Sequence, residues 1–207
     1  MGPQSGDAPN SENAPMSPLT PADLEKVRAR DPEALGLLFD VCFGRVYNLA
    51  YRLMGQEAAA QDVTQEVFLR VHRAAHQLDP TRDPVPWLMT ITTNLCREQW
   101  RSRQGRQDKA TASLDADPDR TRDVPSAAAA PDADLVEADR RRLLEDGLAR
   151  LPDAMREVVV LHDLQGLSHE QIAHMMDEAA TAVRKRYSRA LARLREIMQA
   201  HRPDVLE

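Results

Sequence analysis

Arg184, Lys185, Ser188 and Arg189 fall together on one face of a helical segment, at separations of one, three, four and five residues. Guanidinium and ammonium groups beside a small hydroxyl suit phosphate oxygens and the acceptor edges of bases. Val183, Tyr187, Ala190, Leu191, Leu194 and Met198 take core spacing behind them. A basic helical face is often no more than solvated surface, but the residues just before it favour DNA. Ser168-His169-Glu170-Gln171 has the form of a capping box. It opens a short helix, Ser168–Met176, with Ile172, Ala173 and Met176 on its apolar face. Asp177 is placed to cap a second helix one or two residues on. Helices joined that tightly must cross steeply, as in a helix-turn-helix.

Other residues able to do chemistry lead to weaker readings. His169-Glu170-Gln171-Ile172-Ala173-His174 resembles a zinc-protease motif, but its second histidine stands at i+5 and not i+4. The two rings then point about 140° apart around a helix and cannot share one metal. His72 and His76 do have i,i+4 spacing, with no third ligand in evidence. Cys42 and Cys96 lie inside apolar periodic stretches and read as buried free thiols. With 8 glycines in 207 residues, a Gly-loop or dinucleotide-binding enzyme is disfavoured. No catalytic residue, metal site, cofactor or small-molecule substrate is expected.

The elements around these residues are helical. Thr20-Pro21 and Asp31-Pro32 each set a capping side chain before a proline at the first helical position. Leu35, Leu38, Phe39, Cys42, Val46, Leu49, Ala50 and Leu53 then recur every three to four residues up to Gly55. A second helix is expected over 57–77, with Val63, Val67, Val71 and Ala74 on one face and Asp62, Gln65, Glu66 and Leu69 on the opposite one. Prolines between Asp79 and Pro86 break it. A third helix, about 86–104, is expected to bury Trp87, Leu88, Ile91 and Leu95, leaving Thr90, Asn94, Arg97 and Arg101 along another stripe. Hydroxyl, amide and guanidinium groups in such a row suit a nucleic-acid backbone and unstacked bases. Beyond the linker, Leu143, Leu144 and Leu148 precede a helix opened by Pro152, with Met155, Val158, Val159 and Leu161.

Aromatics at 4% and charged residues at 29% lean away from sandwiches and barrels. The fold class is therefore all-α: two small helical domains, 19–104 and 135–200, joined by a flexible linker over 105–134. The linker is acidic, interrupted by prolines and poor in large apolar groups. Residues 1–18, rich in Pro, Ser and Asn without a basic start, read as a disordered tail and not a signal peptide. The net charge of −6 hides a segregation. Residues 80–104 carry four Arg against two acids, and 178–207 carry seven Lys/Arg against four acids. Residues 105–137 have eight acids against four bases. Phosphates respond to such local stripes within a Debye length, not to the total. No apolar run reaches membrane-spanning length, so a cytoplasmic protein with no membrane partner is expected.

The C-terminal half resembles the promoter-recognition domain of extracytoplasmic-function sigma factors of the sigma-70 family. The match runs from Leu151-Pro152 through Gly166-Leu167-Ser168-His169-Glu170-Gln171-Ile172-Ala173 to Val183-Arg184-Lys185-Arg186-Tyr187-Ser188-Arg189-Ala190. By that resemblance Arg184, Lys185, Ser188 and Arg189 face the minus-thirty-five promoter element. Asp177-Glu178 stands where the family usually has Gly and an aliphatic residue, Thr181-Ala182 replaces a Gly-Thr pair, and Lys185 replaces a small Ser. Val46 to Gly55 and Gln61 to Val71 are similar to the family's core-binding segments, with Gln61 in place of an acid. The resemblance makes Asp62, Gln65, Glu66 and Leu69 the docking surface for core RNA polymerase. Pro86 to Leu95 resembles the promoter-melting helix, which implies that Thr90, Asn94, Arg97 and Arg101 contact the minus-ten element. The family's architecture implies a place for a flipped base at the Asp79–Asp83 loop. Core polymerase and promoter DNA are the partners implied, with an anti-sigma protein as a further one.

A one-component regulator with a C-terminal helix-turn-helix would share the second half, but has no reason to carry Gln65-Glu66 and the Trp87–Asn94 helix. A sigma-like binding module that does not initiate is a third reading. Thr64 lies next to the docking strip, where a phosphate would replace the acidity absent at Gln61.

Overall fold

The computed structural model describes the backbone of residues 19–111 and 135–201, and side chains over 19–105 and 142–200. The expected tail and most of the expected linker lie outside the described residues. Every regular element among those residues is helical: α1 (Pro21–Arg28), α2 (Pro32–Met54), α3 (Glu57–Ala74), α4 (Val85–Thr111), α5 (Leu135–Ala149), α6 (Asp153–Val159), α7 (His169–Met176) and α8 (Ala180–His201). Short turns of 3₁₀ and π helix follow α3 and α6, at Ala75–Gln77 and Val160–Leu164.

Local chemistry sets the ends. Thr20 and Asp23 form a capping box at α1, and Asp31 Oδ1 accepts from the Ala34 amide at 3.0 Å at α2. Gly55 closes α2 in the left-handed region at φ 64°. Helix α4 does not end at 104 but winds on to Thr111, into the segment expected to be linker. Polar composition there removes the need for a core without forbidding intrahelical hydrogen bonds, so the helix runs past the last buried side chain, Trp100.

In the first module, Leu38, Cys42, Val46, Leu49 and Leu53 of α2 pack on Ala60, Val63, Val67 and Val71 of α3, with α4 laid across both. Three expectations are corrected. Phe39 is exposed, because the apolar stripe of α2 is wider than its neighbours cover. Trp87 and Ile91 are only half-buried; the inward face of α4 is Leu88, Met89, Thr92, Thr93, Leu95, Cys96 and Trp100. A buried threonine is tolerated there because Thr92 donates to the Leu88 carbonyl at 2.8 Å. In the second module, Val158–Leu161, Ile172, Ala173, Val183, Ala190 and Leu194 form the core, while Leu191 is exposed, not buried. Helices α5 and α8 approach closely at Gly147, where a Cβ would stand 2.8 Å from Leu194 Cδ1.

Candidate nucleic-acid and partner surfaces

The turn between α7 and α8 fixes the first surface. Ser168 Oγ accepts from the Gln171 amide at 3.2 Å and Gln171 Oε1 accepts from the Ser168 amide at 2.8 Å, completing the expected capping box. Asp177 does not cap α8. It ends α7 in the left-handed region (φ 53°), and the next amide, of Glu178, donates back to the Ala173 carbonyl at 3.0 Å. That backbone geometry accounts for glycine being usual at this position. Arg184, Lys185, Ser188 and Arg189 are all exposed on one side of α8. Arg184 reaches Glu170 of α7 at 2.8 Å, and Ser188 Oγ donates to the Arg184 carbonyl at 3.1 Å. Arg186, half-buried, points elsewhere and forks onto Glu178 at 3.2 and 2.7 Å.

Behind this face, His162 and His169 stack at 4.2 Å, and Tyr187 meets both edge-on while donating to Asp163 at 2.8 Å. Burial, then the neighbouring His162, hold His169 below the ordinary histidine range. Sequence reasoning placed Tyr187 at a core position but did not bring the three rings together; they brace the turn after α6 against α7 and α8.

The second surface lies on α4. Asn94 and Arg101 are exposed, and Thr90, half-buried, returns its hydroxyl to the Pro86 carbonyl at 2.9 Å. Arg97 departs from the expected stripe. Its side chain is 16% exposed and its Nε lies 2.6 Å from Glu157 Oε1 in the second module. Longer contacts of 3.4 Å reach Asn94 Oδ1 and the Met175 carbonyl. Three of the four residues are thus open to a ligand, and one is held by the other module.

The third surface spans α2 and α3. Asp62, Gln65 and Leu69 are exposed. Glu66 is half-buried and bonded to Arg70 at 3.1 Å, which in turn forks onto Glu98 at 3.1 and 2.7 Å. Alongside runs a groove of about 460 Å³ that the sequence reading missed, lined by Phe39, Phe43, Tyr47, Phe68, Gln65 and Leu69, among others. Ring centroids are 5.1 Å apart for Phe39–Phe43, 4.7 Å for Phe39–Phe68 and 5.9 Å for Phe43–Tyr47. The signal was available: all three phenylalanines of the chain converge here, two of them at i,i+4 spacing. Thr64 corrects the modification idea. It is buried, with its hydroxyl donated to the Ala60 carbonyl at 2.7 Å, so no kinase can reach it without unwinding α3.

Fold and faces together define a two-module helical protein built around a helix-turn-helix. The family models for sigma-70 region 2 and sigma-70 region 4 match residues 38–106 and 141–194. The chain is 36% identical over 157 residues to the ECF RNA polymerase sigma factor SigE of Mycolicibacterium smegmatis, covering 76% of this chain and 58% of that protein. It therefore spans little more than half the length of that relative. It is 33% identical over 175 residues to the RNA polymerase sigma factor CarQ of Myxococcus xanthus, covering 84% of this chain and 95% of CarQ. The sigma factor RpoE of Bartonella quintana, solved with the anti-sigma factor NepR, shares the fold at 22% identity with a TM-score of 0.59, over 78% of this chain and 94% of that one. The chain belongs to the sigma-70 family, in its extracytoplasmic-function branch. No helix among the described residues is long and apolar enough to cross a membrane.

Proposed function

We propose that this chain binds core RNA polymerase and directs it to specific promoters in the cytoplasm, performing no chemistry of its own. The observation that supports this reading best is the separation of surfaces. Cationic faces stand on α4 and α8, and apart from both lies an aromatic-and-amide groove whose lining includes no lysine or arginine. Polyanionic DNA favours the first two faces, and a protein helix favours the third.

In this reading Asp62, Gln65, Glu66 and Leu69, together with the Phe39–Phe43 ridge, dock on polymerase. Arg184, Lys185, Ser188 and Arg189 read the upstream duplex in the major groove, and Lys185 in place of a small residue shifts the base preference. Thr90, Asn94 and Arg101, joined by Arg97 once it is released, hold the strand that opens at the minus-ten element. An anti-sigma protein is a further proposed partner, since the solved neighbour RpoE is bound to one.

Co-purification with core polymerase followed by run-off transcription tests the reading: binding and a promoter-specific transcript are expected. Duplex binding without polymerase binding would make the chain a one-component regulator. Polymerase binding without a transcript would make it a non-initiating module.

A further inference from the structure

The geometry points to a latch: the Arg97–Glu157 pair holds the two modules closed on each other and withholds Arg97 from DNA until the modules part. The functional half of this inference rests on Arg97 as a promoter contact, whereas the latch itself rests on geometry alone.

The pair joins α4 of the first module to α6 of the second at 2.6 Å, with side chains 16% and 5% exposed. A second tie lies beside it. Arg156, 1% exposed, donates from Nη1 to the Leu53 carbonyl in the last turn of α2 at 2.6 Å, where the helix leaves its carbonyls without partners and favours a cation. Both ties are polar and directional. Each charge meets its partner across the seam in a fixed geometry, so the two ties together set the register in which the modules meet.

The same features make the latch releasable. A cleft of about 700 Å³ runs along the seam, lined by Arg97, Trp100, Arg101, Glu157 and Arg186, among others. Apolar packing is continuous across the seam where α2 meets α5 and α6, but beside the two polar ties the open space admits water that can compete for them. Burial pushes the Glu157 carboxyl up to about 7 even with Arg97 against it, so the cost of holding its charge there exceeds the attraction that Arg97 supplies. Each partner also has an alternative. Arg186 lines the same cleft and already acts on Glu157 electrostatically, so it can turn from Glu178 to Glu157 when Arg97 leaves. Arg156 keeps the Leu151 carbonyl and Asp153 Oδ1, both at 2.9 Å, within its own module. Opening therefore strands no buried charge. Arg97, once out, rejoins Asn94 and Arg101 on α4.

The test is a distance measurement on the full chain, without polymerase or DNA, so that its failure is separable from failure of the functional reading. Spin labels go on His76→Cys and Ala192→Cys, both exposed positions, while native Cys42 and Cys96 are buried and stay unlabelled. The otherwise unchanged chain should give a narrow distance distribution. Arg97→Glu sets two carboxylates face to face and should replace it with a broad, longer one. The reversed pair, Arg97→Glu with Glu157→Arg, should restore the narrow peak. The latch is overturned if the unchanged chain lacks that peak, or if Arg97→Glu leaves it intact. It is equally overturned if the reversed pair melts normally yet fails to bring the peak back. Should the reversed pair not fold, Arg97→Glu decides alone.

Discussion

Replacing Phe39 by alanine is the sharpest probe of the groove on α2 and α3. Phe39 is 42% exposed, and an aromatic side chain carries roughly 200 Å² of surface, so about 80 Å² of it remains wet in the free chain. Covering that remainder at about 25 cal/mol per Å² is worth about 2 kcal/mol, roughly a thirtyfold change in Kd. The buried part of the ring touches Phe43 and Phe68, so stability should fall by about 1–2 kcal/mol, too little to unfold the module. Leu37 supplies a matched control, equally exposed at 42% on the same helix but outside the groove lining. Titrating fluorescently labelled chain with core polymerase, Phe39→Ala should weaken binding by about the factor above and Leu37→Ala should not. A Phe39→Ala variant that melts near wild type and binds within about twofold of it would remove the groove from the interface.

Three further outcomes follow from the second module. Arg189→Ala should cost about 1–3 kcal/mol on a specific promoter duplex and much less on random sequence, read by competitive gel shift; equal losses on both would make Arg189 a phosphate contact only. Asp177→Gly relieves the left-handed strain at φ 53° and should stabilise the module by about 0.5–1 kcal/mol, seen as a melting temperature raised by about 2–8 °C. His169 is held below its ordinary range by burial and by His162, with Asp163, Glu170 and Arg184 around it. A depressed histidine contributes stability that is fully present above its unfolded value of about 6.5 and is lost as pH falls through the folded one. Melting between pH 7.5 and 5.5 should therefore drop more for the unchanged chain than for His169→Gln, and parallel drops would contradict the assignment.

The helix-turn-helix was legible because its determinants are local. The Ser168 box, the alternation of Val183, Ala190 and Leu194 with basic residues, and the short turn all lie within a few residues of one another in sequence. Asp177 was misread because an aspartate serves either end of a helix, and only the backbone hydrogen bonds decide which. The face of α4 was harder. It packs on both α2 and α3, so its inward surface is set by two neighbours at once, and Thr92 enters it by satisfying its hydroxyl on its own helix. The fate of Arg97 could not be read at all, since Glu157 is distant in sequence and the contact depends on how two modules meet. Phe39 shows the reverse failure: an apolar residue at core spacing says where a side chain falls on its helix, not whether another helix arrives to cover it.

The continuation of α4 to Thr111 changes the reach of the molecule. Wound as helix, the stretch from Gly105 to Thr111 advances about 9 Å, against about 20 Å if extended. The greatest separation the two modules can attain is thereby shortened by about 11 Å, the height of roughly three base pairs. How far apart two promoter elements can lie and still be gripped by one copy of this chain is thus set partly by where a helix stops.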